Sequence, residues 1–140
     1  MSETLANWPL VVGVYRTALD LDGYQTQLDV WERWFARQER FALLRIYTTP
    51  ESLSHPDGSA PLAKAWLQRN RPVLQRWVMG MATVVPASNY EKMKRFQVDK
   101  AFGVPGAIFR EAEEALGWLQ DTIFSPAGIA FKKPLLSALQ

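Results

Sequence analysis

The sequence predicts an α/β domain with a single mixed or mostly parallel sheet of about four strands and helices packed against it. Three observations carry that expectation. Read at period two, Trp77-Val78-Met79-Gly80-Met81-Ala82-Thr83-Val84-Val85 puts Trp77, Met79, Met81, Thr83 and Val85 on one face and Val78, Gly80, Ala82 and Val84 on the other. Neither face suits water, which is the signature of a central strand covered on both sides. Short β-branched runs also alternate with helix-period segments along the whole chain, the order of an α/β fold. Finally, 140 residues of which 48% are hydrophobic and 21% charged match one domain-sized core.

The elements follow in order. Leu10 to Tyr15 is β-branched and bounded by Pro9, so it reads as the first strand. Asp20 and Asp22 offer helix N-caps, with Gln25 in capping-box spacing to Asp22. Along the helix they open, Tyr24, Leu28, Trp31 and Phe35 form one apolar stripe with Trp34 beside it. Phe41 to Tyr47 is the second strand, and Arg45 interrupts one of its faces. An ionic side chain there implies either a sheet edge or a strand that ends at a functional rim.

Thr48 to Ala60 is a polar loop of about twelve residues, long enough to suggest use. Pro61 to Arg76 is helical, with Pro72 expected to kink or restart it near Asn70. The central strand comes next, its small second face allowing a helix to pack close. Ser88-Asn89-Tyr90-Glu91 then reads as a capping box, opening a helix that carries Met93, Phe96 and Gln97. Ala107 to Phe109 forms a short last strand. Glu111, Glu113 and Glu114 favour the start of a final helix, where negative charge complements the macrodipole, and Ser125 to Gly128 ends it. The domain core therefore spans about residues 8 to 124 of a single domain covering 1–140. The tail that follows carries Ile129, Phe131, Leu135, Leu136 and Leu139, too apolar to lie free, and is expected to dock on the body or on a second subunit.

Several segments resemble the SpoIIAA-like branch of the STAS-type fold. They are Asp22-Gly23-Tyr24, the Arg76 to Val85 strand leading into Tyr90-Glu91-Lys92, and Phe109-Arg110-Glu111-Ala112-Glu113-Glu114-Ala115-Leu116-Gly117-Trp118-Leu119, over about residues 8 to 124. The resemblance implies a signalling or ligand-binding module without catalysis, often dimeric. The Asp-Ser step that anti-anti-sigma factors phosphorylate is replaced here by Thr83-Val84-Val85-Pro86-Ala87-Ser88-Asn89, which puts phosphoswitching in doubt. Ser88 reads as a cap instead.

No catalytic set can be assembled from the sequence. His55 is the single histidine, in the loop Ser52-Leu53-Ser54-His55-Pro56-Asp57, where neighbours in a proline-broken segment point apart. With no cysteine and one histidine, neither a structural metal nor any other cofactor is expected. The start of the chain lacks a basic and apolar leader, and no stretch is long enough for a membrane helix, so a cytoplasmic protein is expected.

Three functions follow as expectations. The leading one is a soluble, non-enzymatic module that binds a protein partner or forms a homodimer, through the tail among other surfaces; six tryptophans in 140 residues favour it. A second is an anion, nucleic-acid or anionic membrane-surface binder. Residues 61–110 hold nine Lys or Arg against two acids, and the candidate contacts are Arg69, Arg71, Arg76, Lys92, Lys94 and Arg95. The third is a carrier of an apolar ligand, such as a lipid, in a pocket lined by Trp31, Phe35, Trp66 and Met81.

Overall fold

A computed structural model describes residues 2–139. Its sheet has five strands in the order β1 (Ser2–Thr4), β2 (Leu10–Tyr15), β3 (Phe41–Tyr47), β4 (Val78–Val84) and β5 (Gly106–Phe109). Strands β2 to β5 are mutually parallel, and β1 adds an antiparallel edge on β2. The first crossover is α1 (Leu21–Phe35) and the second α2 (Ser59–Trp77); α3 (Ala87–Met93) and α4 (Val98–Phe102) share the third. When parallel strands are added in sequence and each crossover is right-handed, the crossing helices collect on one face. Side chains of α1, α2 and α4 do share one core cluster with Val11, Phe41, Leu43 and Met81.

The other face is covered by the end of the chain. Helix α5 (Ala112–Trp118) runs on through a π-helical turn, Leu119–Phe124, into α6 (Ser125–Ala127), which Gly128 closes at φ 69°. Leu116, Leu119, Ile123 and Phe124 pack there on Leu10, Val12, Leu44, Ala82 and Val84. The tail returns along this face of its own chain. Phe131 stacks on Phe124 with ring centroids 4.3 Å apart, Asn7 Nδ2 donates to the Lys132 carbonyl at 2.8 Å, and Leu139 is buried.

Strand β4 is buried at every position, as its two apolar faces predict. The alternation is broken near its start, where the register with β3 jumps from Phe41↔Val78 to Ala42↔Gly80. Met79 accordingly joins the face of Ala82 and Val84, while Val78 joins that of Met81. Trp77 is the last residue of α2 rather than a strand residue. The small second face does admit a close helix: a Cβ at Gly80 would lie 2.7 Å from Ile123 Cδ1.

Other local expectations need correction. Pro72 lies inside an uninterrupted α2, and the carbonyl it leaves without a partner belongs to exposed Gln68, where water can serve it. Ser88 does not cap α3; it sits within the helix behind Pro86, and its hydroxyl bonds to the Asn89 side chain. The predicted third helix divides in two, so Phe96 falls in the link between α3 and α4 and is 56% exposed. Asp20, not Asp22, caps α1 by accepting from Gly23 N at 2.7 Å, and Gln25 donates to Asp29 instead of closing a capping box. Glu111 is the residue before α5, with Glu113 and Glu114 in its first turn.

Candidate functional site

Arg45 is not on an edge. Strand β3 is the middle strand of five, which eliminates one of the two explanations for an ionic residue there and leaves the rim. Period two sends Phe41, Leu43, Arg45 and Tyr47 to the face covered by α1 and α2. In register, Arg45 lies between Gly13 of β2 and Thr83 of β4, and Tyr47 lies beside Tyr15. The Tyr15 and Tyr47 rings stack at 4.7 Å. This row stands at the carboxyl ends of parallel strands, the side on which open α/β sheets bind their ligands.

A cavity of about 160 Å³ opens above that row. Helix α1 contributes Tyr24, Gln27, Leu28 and Trp31; β3 contributes Arg45 and Tyr47. The long loop adds His55, α2 adds Ala63, Trp66 and Leu67, and α4 adds Phe102. The aromatic stripe predicted along α1 thus has two roles: Trp31, Trp34 and Phe35 are core, while the Tyr24 end becomes wall. Trp31 meets Trp66 edge-on at 5.7 Å and Phe102 at 6.4 Å, which fixes the rings that bound the cavity. Tyr24 and His55 meet edge-on at 6.2 Å across its rim.

Two polar atoms are out of place in this apolar setting. Trp66 is 2% exposed, and its Nε1–H has no hydrogen-bond partner. Arg45 donates through Nη2 to Thr83 Oγ1 at 2.9 Å and lies 5.6 Å from the Phe102 ring centroid, yet its buried Nε has no partner either. Leaving a buried donor unpaired costs about 1–3 kcal/mol, so such atoms are rare and call for an explanation. They are the two buried unpaired side-chain atoms found among the described residues, and both belong to the lining of one cavity. Burial also raises the pKa of the Tyr24 phenol above its usual value, helped by Tyr47 and opposed by the Arg45 charge.

The lining contains no Asp, Glu, Ser, Thr or Lys. His55 has no carboxylate beside it in the lining, and the Ser52 hydroxyl donates to the Thr49 carbonyl at 2.6 Å. The arrangement supplies hydrogen-bond donors, a positive charge and aromatic walls. Those are means by which a pocket holds a molecule.

Of the pocket residues predicted from sequence, Trp31 and Trp66 line this cavity, whereas Phe35 and Met81 belong to the same core cluster below it. The six basic candidates stay on the exposed surface and are partly engaged: Arg71 donates to the Ala101 carbonyl at 3.0 Å, Arg76 lies over Trp77, and Lys94 pairs with Glu91 at 2.6 Å. Arg69, Lys92 and Arg95 are exposed. In the tail, Ile129 and Phe131 pack on the core and Leu139 is buried, while Leu135 and Leu136 remain exposed. A groove of about 610 Å³ lies between the tail and β2, with Val12, Val14, Lys132 and Leu135 in its lining. Neither of the unpaired donors faces it.

The residues that sequence reasoning missed are Tyr24, Tyr47, His55 and Phe102 as parts of one wall. Arg45 was the visible signal, a charge at an inward position of an otherwise apolar strand. No helix among the described residues is long and apolar enough to cross a membrane. Comparison with protein-family models, curated proteins and solved structures finds no match.

Proposed function

We propose that this protein is a non-catalytic binding module whose ligand is a small, largely aromatic or apolar molecule held in the cavity at the carboxyl ends of β2 to β4. The single observation that carries the reading is the Trp66 indole, 2% exposed and lining the cavity with an unpaired Nε1–H. The Nε1 atom is itself closed to water, so a small shift of the indole toward an acceptor on a bound molecule pairs that donor and regains the free energy its burial costs. The cavity is about 160 Å³ in volume, and a dry apolar cavity of roughly 150 Å³ is enough to bind benzene. One ring with a polar substituent therefore fits. The resemblance to SpoIIAA-like proteins agrees with this reading, because the Asp22-Gly23-Tyr24 segment that carries it delivers Tyr24 to the wall.

The test follows the indole ¹H–¹⁵N resonance of Trp66, assigned by its loss in Trp66→Phe, during titration with neutral one-ring compounds bearing an acceptor, such as benzamide and phenol. A saturable shift of that resonance, with a raised melting temperature, is expected. If none of these compounds, nor benzoate, moves it, bound water suffices for the indole and the reading fails.

Self-association is a second reading, favoured by Leu135 at 76% exposure and Leu136 at 45%, adjacent in the tail. Light scattering of the chain and of a Leu135→Lys/Leu136→Lys variant decides it. A monomer mass for both would end that reading.

A further inference from the structure

We infer that the ligand is an anion: a single aromatic ring carrying a carboxylate, with the carboxylate set against Arg45 and the ring among Trp31, Trp66 and Phe102. The inference rests on the binding role of the cavity proposed above and adds the chemical class of its occupant. A guanidinium is always charged and offers five donors in a planar fork. In Arg45 one arm is spent on Thr83, and the buried Nε is unpaired. No carboxylate is within ion-pair distance of Arg45 among the described residues, and the cavity wall contains no acid at all. Arg45 is half-buried with its Nε closed to water, and a cation partly withdrawn from solvent is ordinarily offset by a counter-charge. Here the chain places the charge at the floor of a cavity and leaves the counter-charge to the occupant.

The walls restrict what that anion can be. Around Arg45 stand Tyr24, Trp31, Tyr47, Trp66 and Phe102, so a strongly hydrated ion such as phosphate would exchange water for ring edges. A planar carboxylate joined to a flat ring meets both demands, taking paired N–H donors at one end and aromatic contacts at the other. Gly13, beside Arg45 in the sheet, adds no side chain of its own to the row.

The test is titration of the full chain with benzoate, benzamide, benzylammonium and acetate, read by calorimetry and by the Trp66 indole resonance. Benzoate should bind at least ten-fold more tightly than benzamide, and benzylammonium and acetate should be weaker still. Arg45→Met should abolish the preference of benzoate over benzamide without abolishing benzamide binding. Because Arg45→Met strands the Thr83 hydroxyl, Arg45→Met/Thr83→Val serves as the second variant, in which both partners of that bond are gone. Equal affinity for benzoate and benzamide would overturn the anion class while leaving the binding role intact. No response to any of the four compounds would remove both. Benzoate binding that survives Arg45→Met/Thr83→Val unchanged would place the anion elsewhere and overturn the assignment.

Discussion

On the face of the sheet covered by α5, the π-helical turn and the tail, Leu10, Val12, Leu44 and Ala82 meet Leu116, Leu119, Ile123 and Phe124 with little room to spare. The approach is close enough that Gly80 has no space for a Cβ beside Ile123. On the opposite face, α1, α2 and α4 bring the rings of Trp31, Trp34, Phe35, Trp66 and Phe102 over Val11, Leu43 and Met81, and the packing stops short of the carboxyl ends of the strands. Rings have few rotamers and cannot fill an irregular gap as aliphatic chains do. The aliphatic face therefore supplies stability, and the aromatic face keeps a cavity whose polar atoms await partners. What separates the faces is polar: both carry an opening, but the residues with buried donors left unpaired, among the described residues, line only the aromatic one.

Truncation at matched residues should break this contrast if it is wrong. Leu119 is fully buried on the aliphatic face, and Leu119→Ala should cost about 2–5 kcal/mol, transfer and cavity terms together. Leu67 lines the cavity and is half-buried, so Leu67→Ala should cost well under half as much, because it enlarges a space that already exists. Urea unfolding of both variants measures this, and equal losses would mean the aromatic face is packed as tightly as its counterpart. Next in size is Gly80→Ala. The new methyl overlaps Ile123 Cδ1 and Cγ1, at 2.7 and 2.9 Å, and should cost about 1–3 kcal/mol. Shortening the opposing chain in Gly80→Ala/Ile123→Val should recover part of the loss relative to the summed single effects. Strict additivity would show that the two residues do not press on each other.

Much of the scaffold was legible, and for definite reasons. Strands β2, β3 and β4 each carry a largely apolar run, broken at Arg45 and Thr83, and the connections between β2, β3, β4 and β5 contain helical segments, so the parallel α/β order could be read. Strand β1 could not, because Ser2–Thr4 is short and polar and exists only by pairing with β2. The bulge at Met79 and Gly80 was invisible because both faces of β4 are apolar, so a slip changes no residue class. Ser88 misled because Ser-x-x-Glu occurs one position inside a helix that Pro86 already starts. Of the cavity, the anomaly of Arg45 and the Trp31 and Trp66 walls were readable. Its walls come from α1, the 48–60 loop, α2 and α4, and nothing in local spacing tells which ends of separate elements will meet. Trp66 was legible as a pocket wall, whereas an unpaired indole nitrogen is a property of its surroundings alone.

Binding chemistry and stability meet on the aromatic face in the hydrogen bond between Arg45 and Thr83. Thr83 is 3% exposed, and its hydroxyl accepts from Arg45 Nη2. Arg45→Met removes the charge but strands that hydroxyl, so it should cost about 1 kcal/mol despite deleting an unpaired buried donor. Adding Thr83→Val removes the other partner as well, and the double variant should be as stable as the parent or more so. Urea midpoints for the four proteins of the cycle test this. If Thr83→Val fails to rescue Arg45→Met, the arginine stabilises the fold by other contacts and is no longer a group held for a ligand.

The smallest expected effect is alkaline. The Tyr24 phenol is held above its usual pKa by burial first and by Tyr47 second, against the opposing pull of Arg45. Its neutral form is therefore favoured in the folded chain. That contribution is complete below the unfolded value of about 10 and is lost as pH rises through the higher folded value. Tyr24→Phe lacks a group that can ionise, so the stability difference between parent and variant should change in the variant's favour above about pH 10 and stay constant below it. Urea midpoints of the two proteins from about pH 8 to 11 provide the comparison. Curves that stay parallel would mean that Tyr24 meets water as freely in the fold as out of it, and the aromatic face would lose its enclosed wall. In Arg45→Met the decline should begin at the same pH but run further into the alkaline range, since the one neighbour that favours the phenolate is gone.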